Sequence, residues 1–190
     1  MIQSDLTKTK SLGADLRALR KSRGMTLSEL ADILERSVGW ISQVERDLSE
    51  PSVADLKQIA KALGVPVSIL FGQAQTPAGE AGVIVRSHAR RPIGSKADGL
   101  VEELLSPDLT DDFEMVHSTF DPGASMQEAI TRETQEVGYL VSGALDLEID
   151  GRAFTVTAGD SFRIKGVSYR WANPYDAPAV AIWVIAPPVY

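Results

Sequence analysis

Hydrophobic positions recur along this chain with two different periods, and the change falls near residue 72. Up to residue 71 the period is helical. Leu12, Leu16 and Leu19 are spaced i, i+4, i+7, and Leu27, Leu30, Ala31 and Leu34 form an i, i+3, i+4, i+7 stripe. Ile41 with Val44 suggests a short helix over 38–46, and Val53, Leu56, Ile59, Ala60 and Leu63 make a further stripe. Stop and start signals bracket these stripes. Gly24 closes the first, Thr26 with Glu29 makes a capping box for the second, and Ser37 is the N-cap candidate for the third. Pro51-Ser52 with Asp55 opens the fourth, and Gly64 follows its end. Residues 68–71 add a short fifth. The pattern predicts an all-α five-helix domain over residues 1–71.

Residues 72–82, GQAQTPAGEAG, have nothing to bury and are expected to form a linker. Beyond them, strands are expected at 83–85, 113–120, 137–141, 144–149, 153–156, 161–164, 169–171 and 180–185. Turn signals such as Asp121-Pro-Gly123, Ser142-Gly143, Asp150-Gly151 and Asn173-Pro174 separate them. Many short strands with regular turns predict an all-β antiparallel sandwich or barrel over residues 83–190. Trp183 and Ile185 are expected in its core, and Arg90-Arg91 in a solvated turn.

The chain has 190 residues and a net charge of -7, which alone argues against nucleic acid as a partner. The distribution changes that picture. Residues 1–75 hold 10 Lys/Arg and 9 Asp/Glu, a balance of +1, whereas residues 76–190 hold 9 and 17, a balance of −8. The acidity therefore belongs to the β part. No apolar run can span a bilayer, and the N-terminus lacks the apolar stretch of a secretory signal. The absence of cysteine excludes disulfides and thiolate metal sites and fits a reducing cytoplasm. A cytoplasmic protein with no membrane partner is expected.

The second and third predicted helices are joined by about three residues, the spacing of a helix-turn-helix. In such a unit the second helix enters the major groove of double-stranded DNA, N-terminal residues first. Val38 and Gly39 are small enough to allow close approach, and the Gln43 amide can pair with adenine. A short helical hairpin need not touch DNA, but resemblance favours that role. The run LRALRKSRGMTLSELADILERSVGWISQVERDLSEPSVADLKQIAKALGVPVSILFG resembles the DNA-binding domain of the XRE family, which shares its five-helix fold with lambdoid phage repressors. TLSELA, ISQVER, EPS and LGVP fall in order. The resemblance implies base contacts from Val38, Gly39 and Gln43, and phosphate contacts from Trp40, Ser42, Arg46 and Thr26. Ser37, at the helix start, joins this DNA-facing set. Arg20 and Glu45 are cast as a structural ion pair. Asp47 departs from the family's usual glycine just past the helix, where a left-handed backbone is expected. Because Val38 and Gly39 read little by hydrogen bond, DNA shape or a Lys8/Lys10 arm is expected to add sequence preference.

Residues 122–143 (PGASMQEAITRETQEVGYLVSG) and 159–174 (GDSFRIKGVSYRWANP) resemble the two motifs of the cupin barrel, a double-sheeted jelly roll. Metal-binding cupins place three histidines where this chain has Ile130, Arg132 and Tyr169; only Glu136 of the ligand set is kept. Isoleucine cannot ligate and arginine repels a cation, so no metal and no other cofactor is expected. Arg132 and Glu136 with the aromatic pair Tyr169 and Trp171 suit a small zwitterion, an amino acid or related amine, with His117 as a further pocket candidate. The competing reading is that Arg132 and Glu136 only brace the barrel.

The combined layout resembles bacterial one-component transcription regulators. It implies a homodimer on a roughly palindromic operator, with repression as the expected outcome and a small-molecule effector in the barrel. Two alternatives stay open: a metal-free, epimerase- or isomerase-like cupin enzyme tethered to DNA, with His117 and Tyr169 as its only acid–base candidates, or a regulator that uses the barrel solely to dimerise.

Overall fold

A computed structural model describes residues 11–71, 79–94 and 99–189. The Lys8/Lys10 arm and most of the predicted linker lie outside the described residues. The chain divides into two compact units, one running through Arg91 and including Ser106–Thr110, the other comprising Pro92–Leu105 and Asp111–Val189.

In the first unit the caps fall where the sequence puts them. The helices are α1 (Leu12–Ser22), α2 (Leu27–Ile33), α3 (Val38–Val44), α4 (Val53–Leu63) and α5 (Val67–Phe71). Thr26 and Ser52 close capping boxes with Glu29 and Asp55, and Gly64 ends α4 in the left-handed region. Each such cap stabilises a short helix by about 1 kcal/mol. α3 is shorter than expected, because Glu45 is already its C-cap. The helical stripes converge on one core: Leu16, Leu19, Leu30, Ile41, Val44, Leu56, Ile59, Leu63 and Ile69 are all buried. A side chain on Gly13 would come within 2.4 Å of the Val44 carbonyl oxygen, so α1 packs directly on the backbone at the C-terminal end of α3. Arg91 is not in a solvated turn. Its guanidinium sits 2.6 Å from the Asp15 carboxylate and 3.3 Å from the Ile69 carbonyl, all within this unit. Residues 83–85 form no strand; Val83 closes a turn with its N–H on the Glu80 carbonyl, and all three belong to the same unit.

Among the described residues the strands are β1 (Arg91–Pro92), β2 (Leu100–Leu104), β3 (Glu114–Phe120), β4 (Gln135–Ser142), β5 (Ala144–Ile149), β6 (Arg152–Thr157), β7 (Ser161–Lys165), β8 (Tyr169–Ala172) and β9 (Ala179–Ala186). One sheet has the order β1-β2-β3-β9-β4-β7 and the other β6-β5-β8. Both are antiparallel, and their inner faces enclose one core containing Val116, Phe120, Leu140, Leu145, Leu147, Ile164, Trp171, Trp183 and Ile185. Two edge-to-face aromatic pairs, Phe120–Trp171 and Phe162–Trp183, fill the space between the sheets. Asn173, fully buried, donates its amide to the carbonyls of Phe120, Asp121 and Ala177 and pins the corner after β8. No helix among the described residues is long and apolar enough to cross a membrane.

Candidate nucleic-acid interface and barrel interior

The turn between α2 and α3 is short, with Glu35 in the left-handed region at φ 52. It leaves α3 with one buried edge, Ile41 and Val44, and one open edge. Val38, Gly39 and Gln43 lie on the open edge, whereas Trp40 and Ser42 are half-buried. The Ser37 hydroxyl accepts the Trp40 N–H at 3.1 Å and is spent as the N-cap. Arg46 is exposed and folds back, its Nε donating to the Ser42 carbonyl at 3.0 Å. Thr26 is exposed too, but Glu29 occupies it. One Glu29 oxygen accepts both the Thr26 N–H (2.7 Å) and its hydroxyl (2.8 Å). These bonds hold the Glu29 carboxyl below its usual range, so an anion already sits where Thr26 is expected to receive a phosphate.

Behind the open edge, α3 is tied to its neighbours by charge. Arg20 donates to both oxygens of Glu45, at 2.6 and 3.0 Å, and to the Met25 carbonyl. Both side chains are buried, and the bond to Glu45 pushes the Arg20 guanidinium pKa up. The carboxylate of Asp47, itself left-handed at φ 57, accepts the Gly13 N–H at 2.9 Å and the Ser11 hydroxyl.

Inside the barrel, Glu136 is almost fully buried. It accepts from Thr134 at 2.7 Å and from the Tyr169 hydroxyl at 3.1 Å, and the Arg132 guanidinium is 3.9 Å away. Burial, followed by the nearby Glu136 charge, pushes the Tyr169 phenol up, so it stays a donor. Ile130 exchanges backbone hydrogen bonds with Tyr169, which fixes both on the wall. Arg132, Glu136, Tyr169 and Trp171 line one void of about 60 Å³ together with Glu102, Phe120 and Trp183. That is room for about two waters. The residues expected to line a metabolite pocket are thus brought together around a small space, because Phe120, Trp183 and the Phe162 ring laid over Gly138 occupy the rest.

His117 is not brought there. It alternates with the inward Val116 and Ser118 on β3 and so faces the opposite side of the sheet, its Nδ1 3.9 Å from Glu103. The acid–base pair of His117 and Tyr169 required by the enzyme reading is therefore not assembled. No group of three His, Cys, Asp or Glu among the described residues is arranged to hold a metal.

Comparison with known proteins fits both units. Residues 11–68 match the helix-turn-helix domain family, and residues 116–185 match the cupin domain family. The HTH-type transcriptional regulator SutR of Escherichia coli is 30% identical over 156 residues, covering 80% of each chain. The chain belongs to the helix-turn-helix transcriptional regulators that carry a cupin domain. The HTH-type transcriptional regulator PuuR of the same organism is 26% identical over 85% of this chain and 86% of its own. A crystal structure of an RmlC-like cupin from Shewanella frigidimarina superposes with a TM-score of 0.50 at 22% identity, over 56% of this chain and 91% of that one, and shows the barrel fold.

Three residues of this helix-turn-helix regulator escape the sequence reading. Arg36 stacks its guanidinium 5.1 Å from the Trp40 ring centre while pairing with Asp55 at 2.6 Å, and its side chain stays half exposed beside α3. The i, i+4 spacing of Arg36 and Trp40 is the signal that could have found it. Glu102 and Glu114 point inward in the cupin barrel. Desolvation raises both carboxyls, that of Glu114 to about 7, and Glu114 Oε2 has no hydrogen-bond partner among the described residues. No periodic rule places an acid there.

Proposed function

We propose that this regulator is a homodimeric repressor that sets α3 into the major groove of a roughly palindromic operator and responds to a small amino acid or amine held in the barrel. The observation that carries the reading is the open leading edge of α3, where Val38 and Gly39 leave the backbone uncovered and Gln43 stands one turn further on. Val38 meets a thymine methyl and the Gln43 amide reads adenine. Ser37, Trp40, Ser42, Arg46 and Arg36 flank this edge at the height of the sugar-phosphate backbone. Thr26 joins them when Glu29 swings away. Arg132 and Glu136 offer a cation and an anion to a zwitterion, with Tyr169 and Trp171 as its aromatic wall. An amino acid needs more than 60 Å³, so binding goes with an opening of the barrel; the groove of about 600 Å³ between β6 and β7, bordered by Phe154 and Phe162, lies in the same unit.

Selection of duplexes from a random pool by the full chain tests the DNA reading. The expected outcome is enrichment of a motif with two-fold symmetry, bound 5- to 150-fold (roughly 1–3 kcal/mol) less tightly by Gln43→Ala. No enrichment over competitor at moderate salt overturns it. Calorimetric titration with amino acids and polyamines, using Arg132→Ala as control, tests the effector reading separately.

A further inference from the structure

The large sheet has two apolar faces, and only one of them is used by the barrel core. Its five full strands run β2-β3-β9-β4-β7, so β9 is central. Strands with one solvated face alternate apolar and polar residues. β9, AVAIWVIA, is apolar throughout, the signature of a strand buried on both sides. On β4 the outward positions are Val137, Tyr139 and Val141, exposed at 40%, 48% and 49%.

Strand register gathers these positions into one patch. Met115 pairs with Val184 and Val184 with Val137; one row along, His117 pairs with Ile182 and Ile182 with Tyr139. Scattered surface apolars mean little, but a contiguous patch marks an interaction surface. Five strands at about 4.8 Å spacing and three outward residues per strand at about 6.8 Å give a footprint of roughly 24 by 20 Å. That is about 480 Å² in projection, more than half of the roughly 800 Å² per partner of a standard interface.

The charges say what covers it. Glu103 lies outward on β2 at one edge, beside His117, while Arg163 and Lys165 lie outward on β7 at the other. The acidic edge and the basic edge are equally far from β9. A two-fold axis running along β9 stacks β2 of one copy over β7 of the other. The register sets Glu103 opposite Ser161, one outward row (about 6.8 Å) from Arg163, a step the long Arg163 side chain spans, and it does so twice with the apolar rows between. A surface that is its own complement under a two-fold rotation fits a second copy of this chain.

We propose that the outer face of the β2-β3-β9-β4-β7 sheet is an isologous dimer interface, with Tyr139, Val137 and Val184 at its centre and reciprocal Glu103–Arg163 pairs at its rim. This deepens the homodimer proposed above by naming the surface. Sedimentation velocity of the full chain, without DNA, tests it. The wild type sediments as a dimer at micromolar concentration, and Tyr139→Glu gives a folded monomer. Arg163→Glu and Glu103→Lys each weaken the dimer about tenfold. An equimolar mixture of these two variants regains wild-type affinity, because each 103–163 contact again joins opposite signs. A monomeric wild type, a dimer indifferent to Tyr139→Glu, or a mixture no tighter than either variant overturns the assignment. If Tyr139→Glu does not fold, the rim mixture still decides. Because no DNA is present, failure here is separate from failure of operator recognition.

Discussion

Arg20 and Glu45 face each other across α1 and α3 with two hydrogen bonds, 2.6 and 3.0 Å long, and both are buried. Removing one partner strands a charge. Glu45→Ala is expected to cost about 3–5 kcal/mol, because Arg20 keeps its charge without a counter-ion. Replacing both by apolar residues of similar size is expected to cost much less. Chemical unfolding followed by helical circular dichroism compares the two, and equal losses would remove the ion-pair explanation.

Asp47 is both a left-handed residue and an anchor for the start of α1. Asp47→Ala loses the bonds to Gly13 and Ser11 and forces a methyl side chain into φ 57, so a cost of about 2–3 kcal/mol is expected. Asp47→Gly gives up the same bonds but relieves the backbone, so its loss is expected to be about half that. The order of the two melting temperatures checks this, and a glycine variant less stable than the alanine one contradicts it.

Glu114 ties barrel stability to pH. Its folded-state pKa of about 7 lies above the unfolded value of 4.5, chiefly because burial disfavours the charged form. Between these values the folded chain holds a proton that the unfolded chain has released. Stability therefore falls as pH rises from about 4.5 to 7 and levels off above, by up to about 3 kcal/mol from this group. Glu102, shifted in the same direction, adds to the slope. Thermal melts between pH 5 and 8 should show the decline, and Glu114→Gln should flatten most of it. An unchanged slope in that variant assigns the decline elsewhere.

Gly138 exists to let an aromatic ring lie on β4. A Cβ there would be 2.2 Å from Cζ of Phe162, so Gly138→Ala displaces the ring. A loss of about 1–3 kcal/mol is expected, recovered in part by Gly138→Ala with Phe162→Leu, where a shorter side chain clears the methyl. Additive losses in the double variant would show that the two residues do not compete for the same space.

The helical unit was legible because period and caps agree at the starts of α2, α3 and α4. Thr26, Ser37 and Ser52 each bond the backbone three residues on, as their positions suggest. β2 was missed because LVEEL carries adjacent acids, of which Glu102 turns inward against the usual rule. Residues 83–85 were read as a strand because three apolar residues satisfy both a strand and a turn flank. Arg132, Glu136, Tyr169 and Trp171 were found together because motif spacing fixes backbone position. The narrowness of the space between them was not legible, since it depends on rings contributed by β3, β7 and β9. The position of His117 was legible after all. Strand parity groups it with Met115 and Thr119, away from the core residues Val116 and Phe120.

The bonds around α3 carry a mechanical consequence. Its C-terminal end is clasped by Arg20 and Asp47, and its beginning is weighted by Arg36, which grips Asp55 on α4. A helix fastened at both ends cannot be reshaped by a distant signal without breaking charged bonds. For the homodimer proposed above, a signal from the barrel is therefore expected to act by changing the spacing between two intact reading heads, leaving the wording of the operator constant and tuning only the grip on it.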